Sequence, residues 1–115
     1  MLLINNQEVE KLFSMKDCLA ALEDGYDDLL KGDAVYRPRL DVWVPSERAD
    51  GYFRWGTMEG ASRKIGVFAI RMKSDIVHWP DGVTEEKYCV QPGTFCGLVM
   101  VFSVRNGEPL AIIND

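Results

Sequence analysis

A change in the spacing of apolar residues near Gly32 and Asp33 constrains the fold of this 115-residue chain more than any other feature. Before that point, apolar residues recur every three or four positions, which is the period of an α-helix. Beyond it they recur every second position, which is the period of a β-strand. Helices followed by strands in one short chain predict an α/β fold of the α+β-like kind, in a single domain over residues 1–115.

The N-terminal third predicts a short strand over residues 2–4 and two helices. Asn5 and Asn6 can cap the first helix, over residues 7–13. Ser14 and Asp17 form a capping-box variant that begins the second helix at Met15, and Gly32 ends it. The apolar side of the second helix consists of Met15, Cys18, Leu19, Leu22, Tyr26, Leu29 and Leu30. The side assigned to solvent, and to no chemistry, carries Glu23, Asp24, Asp27 and Asp28.

Alternating residues predict strands over 36–44, 52–58 and 65–73. Pro38 indicates that the first of these lies at a sheet edge or begins late, because proline has no N–H to donate to a neighbour. A long loop over residues 74–92 should follow, with a turn at 79–82.

The last third predicts a hairpin, in which residues 97–105 and 108–114 flank Asn106 and Gly107. Asn-Gly suits a type I′ turn, because both residues tolerate positive φ. The whole sheet should therefore be mixed and largely antiparallel, with the helical pair packed on it. Both hairpin strands are apolar without alternation, so we expect them to be covered on both faces. The abrupt end after a buried-looking strand suggests a piece of a longer protein.

Composition excludes several classes of function. Thirteen Lys and Arg against eighteen Asp and Glu give a net charge of −5 and a pI near 4.8, which is the wrong sign for binding nucleic acid. No apolar run approaches the ~20 residues that span a bilayer, and no secretory signal begins the chain, so we expect no membrane partner and a cytoplasmic location.

The three cysteines, Cys18, Cys89 and Cys96, are an odd number with no C-x-x-C pair. They provide neither a disulfide framework nor a four-thiolate zinc site within one chain. We therefore expect reduced thiols and no metal.

Cationic side chains on the predicted strands are the strongest candidates for chemistry. Arg71 and Lys73 end one face of the strand at 65–73, while Arg37, Arg39 and Arg54 lie on neighbouring strands. Alternation predicts that Arg37 and Arg39 share one face with Asp41 and Trp43. Stacked side by side, these strands would gather the cations into a patch that holds a ligand carboxylate or phosphate. The alternative is that Arg71 and Lys73 emerge at the strand end and meet Asp75 or solvent.

Two further patterns carry little chemistry. His78, the one histidine of the sequence, has no triad partner at an identifiable spacing, so a loop histidine beside Trp79 is the better interpretation than a general base. The chain contains neither G-x-G-x-x-G nor G-x-x-x-x-G-K-[ST], so a nucleotide would have to bind another part of a longer protein.

Several segments together resemble the N-terminal half of the ornithine cyclodeaminase and mu-crystallin family. The resemblance covers essentially the whole chain, and its most specific element is the closing Gly-Glu-Pro-Leu-Ala. The segments are Leu29-Leu30-Lys31-Gly32, Arg37-Pro38-Arg39, residues 68–75 (FAIRMKSD), Lys87-Tyr88-Cys89, residues 92–98 (PGTFCGL) and residues 107–115 (GEPLAIIND).

This resemblance implies an NAD(P)-dependent enzyme that acts on amino acids or cyclic imino acids, as a cyclodeaminase, an amino-acid dehydrogenase or a ketimine reductase. It implies a substrate-binding and dimerising domain followed by a Rossmann domain, so the chain corresponds to the first domain alone. NAD or NADP would serve the complete enzyme, with none bound tightly by this chain, and we expect a homodimer without catalytic activity of its own.

The resemblance also assigns the substrate-binding residues. Arg39 matches the family's carboxylate-binding arginine, and Arg71 occupies the position of its lysine, with Lys73 as a rival for that role. Arg54 sits where some members carry another carboxylate-binding arginine. The competing hypothesis is a non-catalytic module that dimerises or binds a partner through its apolar sheet.

Overall fold

The computed structural model describes residues 1–48, 50–83, 85–88 and 97–114, and it confirms the α/β fold. The described helices are α1 (Asn6–Leu12) and α2 (Met15–Lys31). The described strands are β1 (Leu2–Ile4), β2 (Ala34–Pro45), β3 (Gly51–Ser62), β4 (Val67–His78), β5 (Glu86–Tyr88), β6 (Leu98–Ser103) and β7 (Pro109–Asn114).

The strands form one mixed sheet in the order β1-β7-β6-β4-β3-β2, and β5 pairs with the end of β4. The β1–β7 pair is parallel and the other pairs are antiparallel, as predicted. β2 lies at the edge, which confirms the prediction from Pro38. β4 lies at the centre, with β3 along one side and β6 and then β5 along the other.

Both helices begin at the predicted caps. Asn5 accepts the N–H of Glu8, and Ser14 accepts the N–H of Asp17. The hydroxyl and the backbone N–H of Ser14 both donate to the Asp17 carboxylate, and these bonds hold the pKa of Asp17 below its ordinary value. α2 ends at Gly32, whose φ of 76° lies in the left-handed region that glycine adopts without strain.

The two sides of α2 differ from the prediction. Much of the predicted apolar side is open, and Tyr26 is 67% exposed. Asp28, assigned to the solvated side, is instead only 2% exposed. Ser62 donates its hydroxyl to Asp28 at 3.3 Å, and the Lys64 ammonium lies 3.6 Å from the same carboxylate. Asp28 therefore joins the helix to the end of β3, a role that the helical period alone does not indicate.

β4 extends five residues beyond its predicted end at Lys73. The predicted loop at 74–92 is wrong at its start, because Asp75 pairs with Arg54 of β3 and the next residues pair with β5. His78 is consequently a buried strand residue. The turn at 79–82 is confirmed, with Gly82 at a φ of 75°.

The register of β2 shifts between Arg37 and Leu40. Arg37 stands opposite Glu59, whereas Asp41 stands opposite Gly56, so Arg37 and Asp41 lie on different faces. The prediction that Arg37 shares a face with Asp41 is therefore wrong. The shift contains Pro38, which lacks the N–H that a regular ladder needs.

The hairpin between β6 and β7 is confirmed, but its turn is not type I′. Gly107 has a φ of 77°, whereas Asn106 has negative φ. The Asn106 side chain instead accepts the N–H of Glu108 at 3.1 Å, and Gly107 donates to the carbonyl of Ser103. Strands β6 and β7 are half-buried along most of their length, so the predicted cover on both faces is incomplete among the described residues.

Neither described helix is long and apolar enough to cross a membrane.

Candidate functional site

The cations that the sequence singles out fall largely on one face of the sheet. Residues directly opposite each other in a ladder point to the same side. We call this side of β2, β3 and β4 the charged face, and the described ladder forms it from Asp41, Trp43, Arg54, Gly56, Met58, Arg71, Lys73 and Asp75.

Arg39 and Arg71 line one open depression of about 450 Å³ on this face. They come from β2 and β4, with Met58 of β3 between them. The volume lies within the range of sites for small molecules. The structure thus brings together the two residues that the resemblance assigns to a carboxylate. The remaining lining residues are Tyr36, Arg37, Pro38, Glu59, Gly60, Ala69 and Val99.

Arg39 is paired with Asp41 on the same strand. Its Nε donates to Asp41 Oδ1 at 2.7 Å, and the two side chains are 32% and 27% exposed. Both head groups lie over Gly56, where a Cβ would overlap Arg39 Nη2 and come within 2.5 Å of Asp41 Oδ1. The missing side chain of Gly56 therefore makes room for this pair on the sheet.

Arg54 and Lys73 converge on the same carboxylate. Arg54 Nη2 donates to Asp75 Oδ2 at 2.8 Å, and Lys73 Nζ lies 3.6 Å from Asp75 Oδ1. Asp75 and Arg54 are only 3% and 8% exposed. The alternative that a strand-end cation meets Asp75 therefore holds for Lys73.

Aromatic rings surround Arg54. Its guanidinium lies 5.3 Å from the Trp43 ring centroid, within cation–π range. Trp43 stacks on Trp79 at 6.0 Å, and Tyr52 meets Trp79 edge-on at 6.3 Å. The carboxylate of Glu85 lies 3.7 Å from Arg54 Nη1. Arg54 is thus held by one ring and two carboxylates.

The remaining predicted residues lie elsewhere or have other partners. Arg37 touches the rim of the depression, but its ladder position lies on the face opposite the charged face, where it forms an ion pair with Glu59. His78 Nε2 lies 3.0 Å from Glu86 Oε2, a partner eight positions away that the loop interpretation missed. Cys18 is a half-buried free thiol, whereas Cys89 and Cys96 lie outside the described residues. The described residues contain no group of three or more potential metal ligands among His, Cys, Asp and Glu.

Sequence reasoning missed two residues of this site. Asp41 carried no assigned role, although an acid two positions from a strand arginine shares its face. Gly56 carried no signal at all, because its importance depends on the side chains that cross above it from β2.

Solved structures of three enzymes share this fold. The probable ornithine cyclodeaminase of Bordetella pertussis Tohama I matches 99% of this chain with a TM-score of 0.64 and 18% identity. An archaeal alanine dehydrogenase dimer with bound NAD matches 99% with a TM-score of 0.66 and 23% identity. The Δ1-pyrroline-2-carboxylate reductase of Thermococcus litoralis, in complex with NADH and L-proline, matches 99% with a TM-score of 0.63 and 22% identity.

This chain spans 30%, 31% and 32% of those three proteins, respectively. No family model matches it, and no curated protein matches its sequence. The resemblance noted in the sequence is thus confirmed as a shared fold. The chain has a fold that also occurs, over about a third of each chain, in a probable ornithine cyclodeaminase, an alanine dehydrogenase and a pyrroline-2-carboxylate reductase.

Proposed function

We propose that this chain is the substrate-binding and oligomerisation part of an NAD(P)-dependent enzyme of the ornithine cyclodeaminase and mu-crystallin type. The substrate would be an amino acid or a cyclic imino acid, and Arg39 and Arg71 would bind its carboxylate. The observation that carries this proposal is the shared depression, in which two arginines from different strands face the same space.

The chemistry of these side chains supports a small acid as ligand. A guanidinium presents N–H donors in a planar fork that matches the two oxygens of a carboxylate. Lys73 and Arg54 lie further along the same face, where Asp75 holds them in place. Arg39, Arg54, Arg71 and Lys73 thus stand against the three carboxylates of Asp41, Asp75 and Glu85, and this excess of one positive charge favours an anionic group in the depression.

The residues of this chain do not fit a dinucleotide. The described strand that leads directly into a helix is β1, and the Asn5 link to α1 contains no glycine. Phosphate-binding turns of dinucleotide sites need glycines there. We therefore assign NAD or NADP to a separate nucleotide-binding domain of a longer protein, which we place in the cytoplasm. Residues 1–115 would form one domain that precedes the nucleotide-binding domain. The chain alone should be inactive.

The other side of the same strands supports oligomerisation. We call it the apolar face, and on β2 to β4 it comprises Leu40, Val42, Val44, Phe53, Trp55, Thr57, Met72, Ser74 and Ile76, with the ion pair of Arg37 and Glu59 at one end. Leu40 and Val42 are more than half exposed. A contiguous exposed apolar surface of this kind is typical of a protein–protein interface. We propose that it forms a homodimer.

The same observation favours a second candidate function, a non-catalytic module that dimerises or binds a partner. This module would have the apolar face as its functional surface, and the ion pairs of the charged face would be structural. Ligand response separates the two candidates.

The decisive experiment measures the melting temperature of the 115-residue chain with millimolar L-proline, L-alanine or L-ornithine. A ligand at ten times its Kd should stabilise the fold by about 1.4 kcal/mol, which corresponds to a rise in Tm of roughly 6 °C for a domain of this size. Arg71→Ala should abolish the rise, and Arg48→Ala, in an exposed pair with Asp50, should preserve it. A tight dimer with no response to any acid would favour the interaction module.

A steady-state assay tests whether substrate binding and NAD(P) binding reside in separate domains, with this chain supplying only the first. With NAD and L-ornithine, L-lysine or L-alanine, the 115-residue chain should give no turnover, and a form extended through a nucleotide-binding domain should turn over one of them. Turnover by the 115-residue chain would refute the proposal that the nucleotide-binding domain is required for activity.

A further inference from the structure

We propose that Asp41 binds the substrate's ammonium group while Arg39 binds its carboxylate, so that this pair selects a zwitterion over a simple carboxylic acid. The inference rests on the proposed function, and it adds a specificity-determining residue to the two arginines already assigned to the carboxylate.

The geometry of the pair leaves both partners the capacity to bind more. One hydrogen bond, from Arg39 Nε to Asp41 Oδ1, joins them at 2.7 Å. It uses one of the five N–H donors of the guanidinium and one of the two carboxylate oxygens. About a third of the Arg39 side chain and a quarter of the Asp41 side chain remain accessible to solvent. A ligand can therefore reach both groups without breaking the bond between them.

The position of the pair fits a ligand that has both charges close together. An α-amino acid carries its carboxylate and its ammonium on one carbon, so its two binding groups must also be neighbours. Arg39 and Asp41 are two residues apart on one strand, and both lie over Gly56. Arg39 lines the depression with Arg71, and Asp41 lies beside Arg39 outside that lining. A ligand whose carboxylate binds the two arginines would therefore carry its ammonium at the edge of the depression, next to Asp41.

The charge of Asp41 matters because its neighbours are cationic. Lys73 stands beside Gly56 on the next strand, and Arg71 is two positions away on the same face. A site made of these cations alone would attract any small anion. A carboxylate in their midst repels an acid that lacks an amino group and attracts one that has it, which is how a site discriminates between related ligands.

Fold stability gives little reason for the pair. Exposed ion pairs contribute little to the stability of a protein. The chain contains a matched example, since Arg48 and Asp50 are also two residues apart, and Arg48 Nε donates to Asp50 Oδ1 at 2.6 Å. Neither member of that second pair lines the depression, whereas Arg39 of the first pair does, so the second pair serves as an internal control.

The test compares L-proline with (S)-tetrahydrofuran-2-carboxylate, in which oxygen replaces the charged nitrogen and the carboxylate is kept. Calorimetric titration of the 115-residue chain should give at least tenfold tighter binding of L-proline. Asp41→Asn should weaken the binding of L-proline, so that the affinities for the two ligands lie within threefold of each other. The oxygen analogue should bind this variant as tightly as it binds the wild-type chain, or more tightly. Asp50→Asn should keep the wild-type preference.

The outcomes separate the inference from the proposed function. Equal binding of both ligands by the wild-type chain, or an equal loss of both in Asp41→Asn, would overturn the inference, because Asp41 would then do no more than position Arg39. If neither ligand binds, or if Arg39→Ala binds both as wild type does, the proposed function fails instead. Should Asp41→Asn not fold by circular dichroism, Asp41→Ser replaces it, with the same expected loss of preference.

Discussion

The two faces of strands β2 to β4 reverse the usual relation between polarity and burial. On the charged face, Arg54 and Asp75 are among the most buried side chains of the described residues, at 8% and 3% exposure. On the apolar face, Leu40 and Val42 are 52% and 58% exposed. Arg54 and Asp75 lie on the central strands β3 and β4, whereas Leu40 and Val42 lie on the edge strand β2, so the difference in burial reflects both the place in the sheet and the available partners.

This comparison teaches that burial follows the availability of partners. Arg54 and Asp75 are buried because each satisfies the other across the ladder, and a nearby ring and a second cation complete the cluster. Leu40 and Val42 have no second layer among the described residues to cover them. The charges of the charged face thus find counter-charges on that face, although Arg54 Nε is buried without a hydrogen-bond partner, whereas Leu40 and Val42 on the apolar face stay open to solvent.

The largest expected effect comes from breaking the buried pair on the charged face. Asp75→Asn leaves Arg54 buried without its main counter-charge, which should lower the free energy of unfolding by about 3 kcal/mol. Urea denaturation followed by circular dichroism measures this loss. Asp50→Asn removes an exposed carboxylate and should leave the free energy of unfolding nearly unchanged. Equal losses would mean that the buried pair has no special role.

A charge on the apolar face should break association instead. Val42→Glu should weaken self-association more than tenfold, because an unpaired carboxylate in an apolar contact is costly. Sedimentation equilibrium measures the change. The control is Val83→Glu, since Val83 is 86% exposed in the turn before β5, and it should associate as wild type does. An unchanged dimer in Val42→Glu would place the interface elsewhere.

Filling the space above Gly56 should affect binding more than folding. In Gly56→Ala, the methyl group displaces the flexible ends of Arg39 and Asp41, so the free energy of unfolding should change by less than about 1 kcal/mol. The rise in Tm caused by L-proline should fall by more than half.

Gly25→Ala provides the control for Gly56→Ala, because a Cβ at Gly25 meets nothing within 4 Å. This helical substitution should stabilise the fold by about 0.5–1 kcal/mol and leave the ligand response intact. A full ligand response in Gly56→Ala would contradict the role given to the Arg39 and Asp41 pair.

The smallest effect concerns α2 and depends on pH. Since Ser14 holds the pKa of Asp17 below 3.8, the capping interaction stabilises the fold above pH 3.8 and is lost as pH falls further. The Tm difference between wild type and Ser14→Ala should therefore shrink below that pH. Ser103→Ala, whose hydroxyl accepts the N–H of Arg105, should give a difference that does not follow this pH dependence.

Local signals predicted the features that depend on neighbouring residues. The caps at Asn5 and Ser14, the helix end at Gly32 and the hairpin at Asn106 and Gly107 all involve contacts within five positions in the chain. Even here the turn type was wrong, because β6 ends at Ser103 and β7 begins at Pro109, so the connection is longer than the two residues of a type I′ turn.

Features that depend on distant residues could not be predicted in the same way. Asp28 is buried by Ser62 and Lys64, which lie more than thirty positions away. β4 continues past Lys73 because Asp75 finds Arg54 on another strand. From sequence alone, polar residues that follow an apolar strand, such as Ser74 and Asp75, are interpreted as a loop, because their partners on other strands are not visible.

The candidate site was partly predictable for the same reason. Alternation placed Arg71 and Lys73 on one face, and the order of β2, β3 and β4 then brought Arg39 to the same depression. Arg37 lies on the other face because of the register shift at Pro38. The proline was visible in the sequence, but it was interpreted as a sign of an edge strand or a late strand start and not of a register shift.

That shift sets which chemistry each side of the molecule carries. If the ladder ran on regularly from Arg37, every later residue of β2 would turn over, with Asp41 set beside Trp55 and Val42 beside Arg54. The one extra residue of β2 in this register shift therefore keeps Asp41 on the charged face and Val42 on the apolar face, whatever side chain that residue carries. Insertion or deletion of one residue between Arg37 and Leu40 would exchange the side chains that β2 contributes to the two faces. No single substitution could do this, because a substitution changes one side chain and leaves the register of the others as it is.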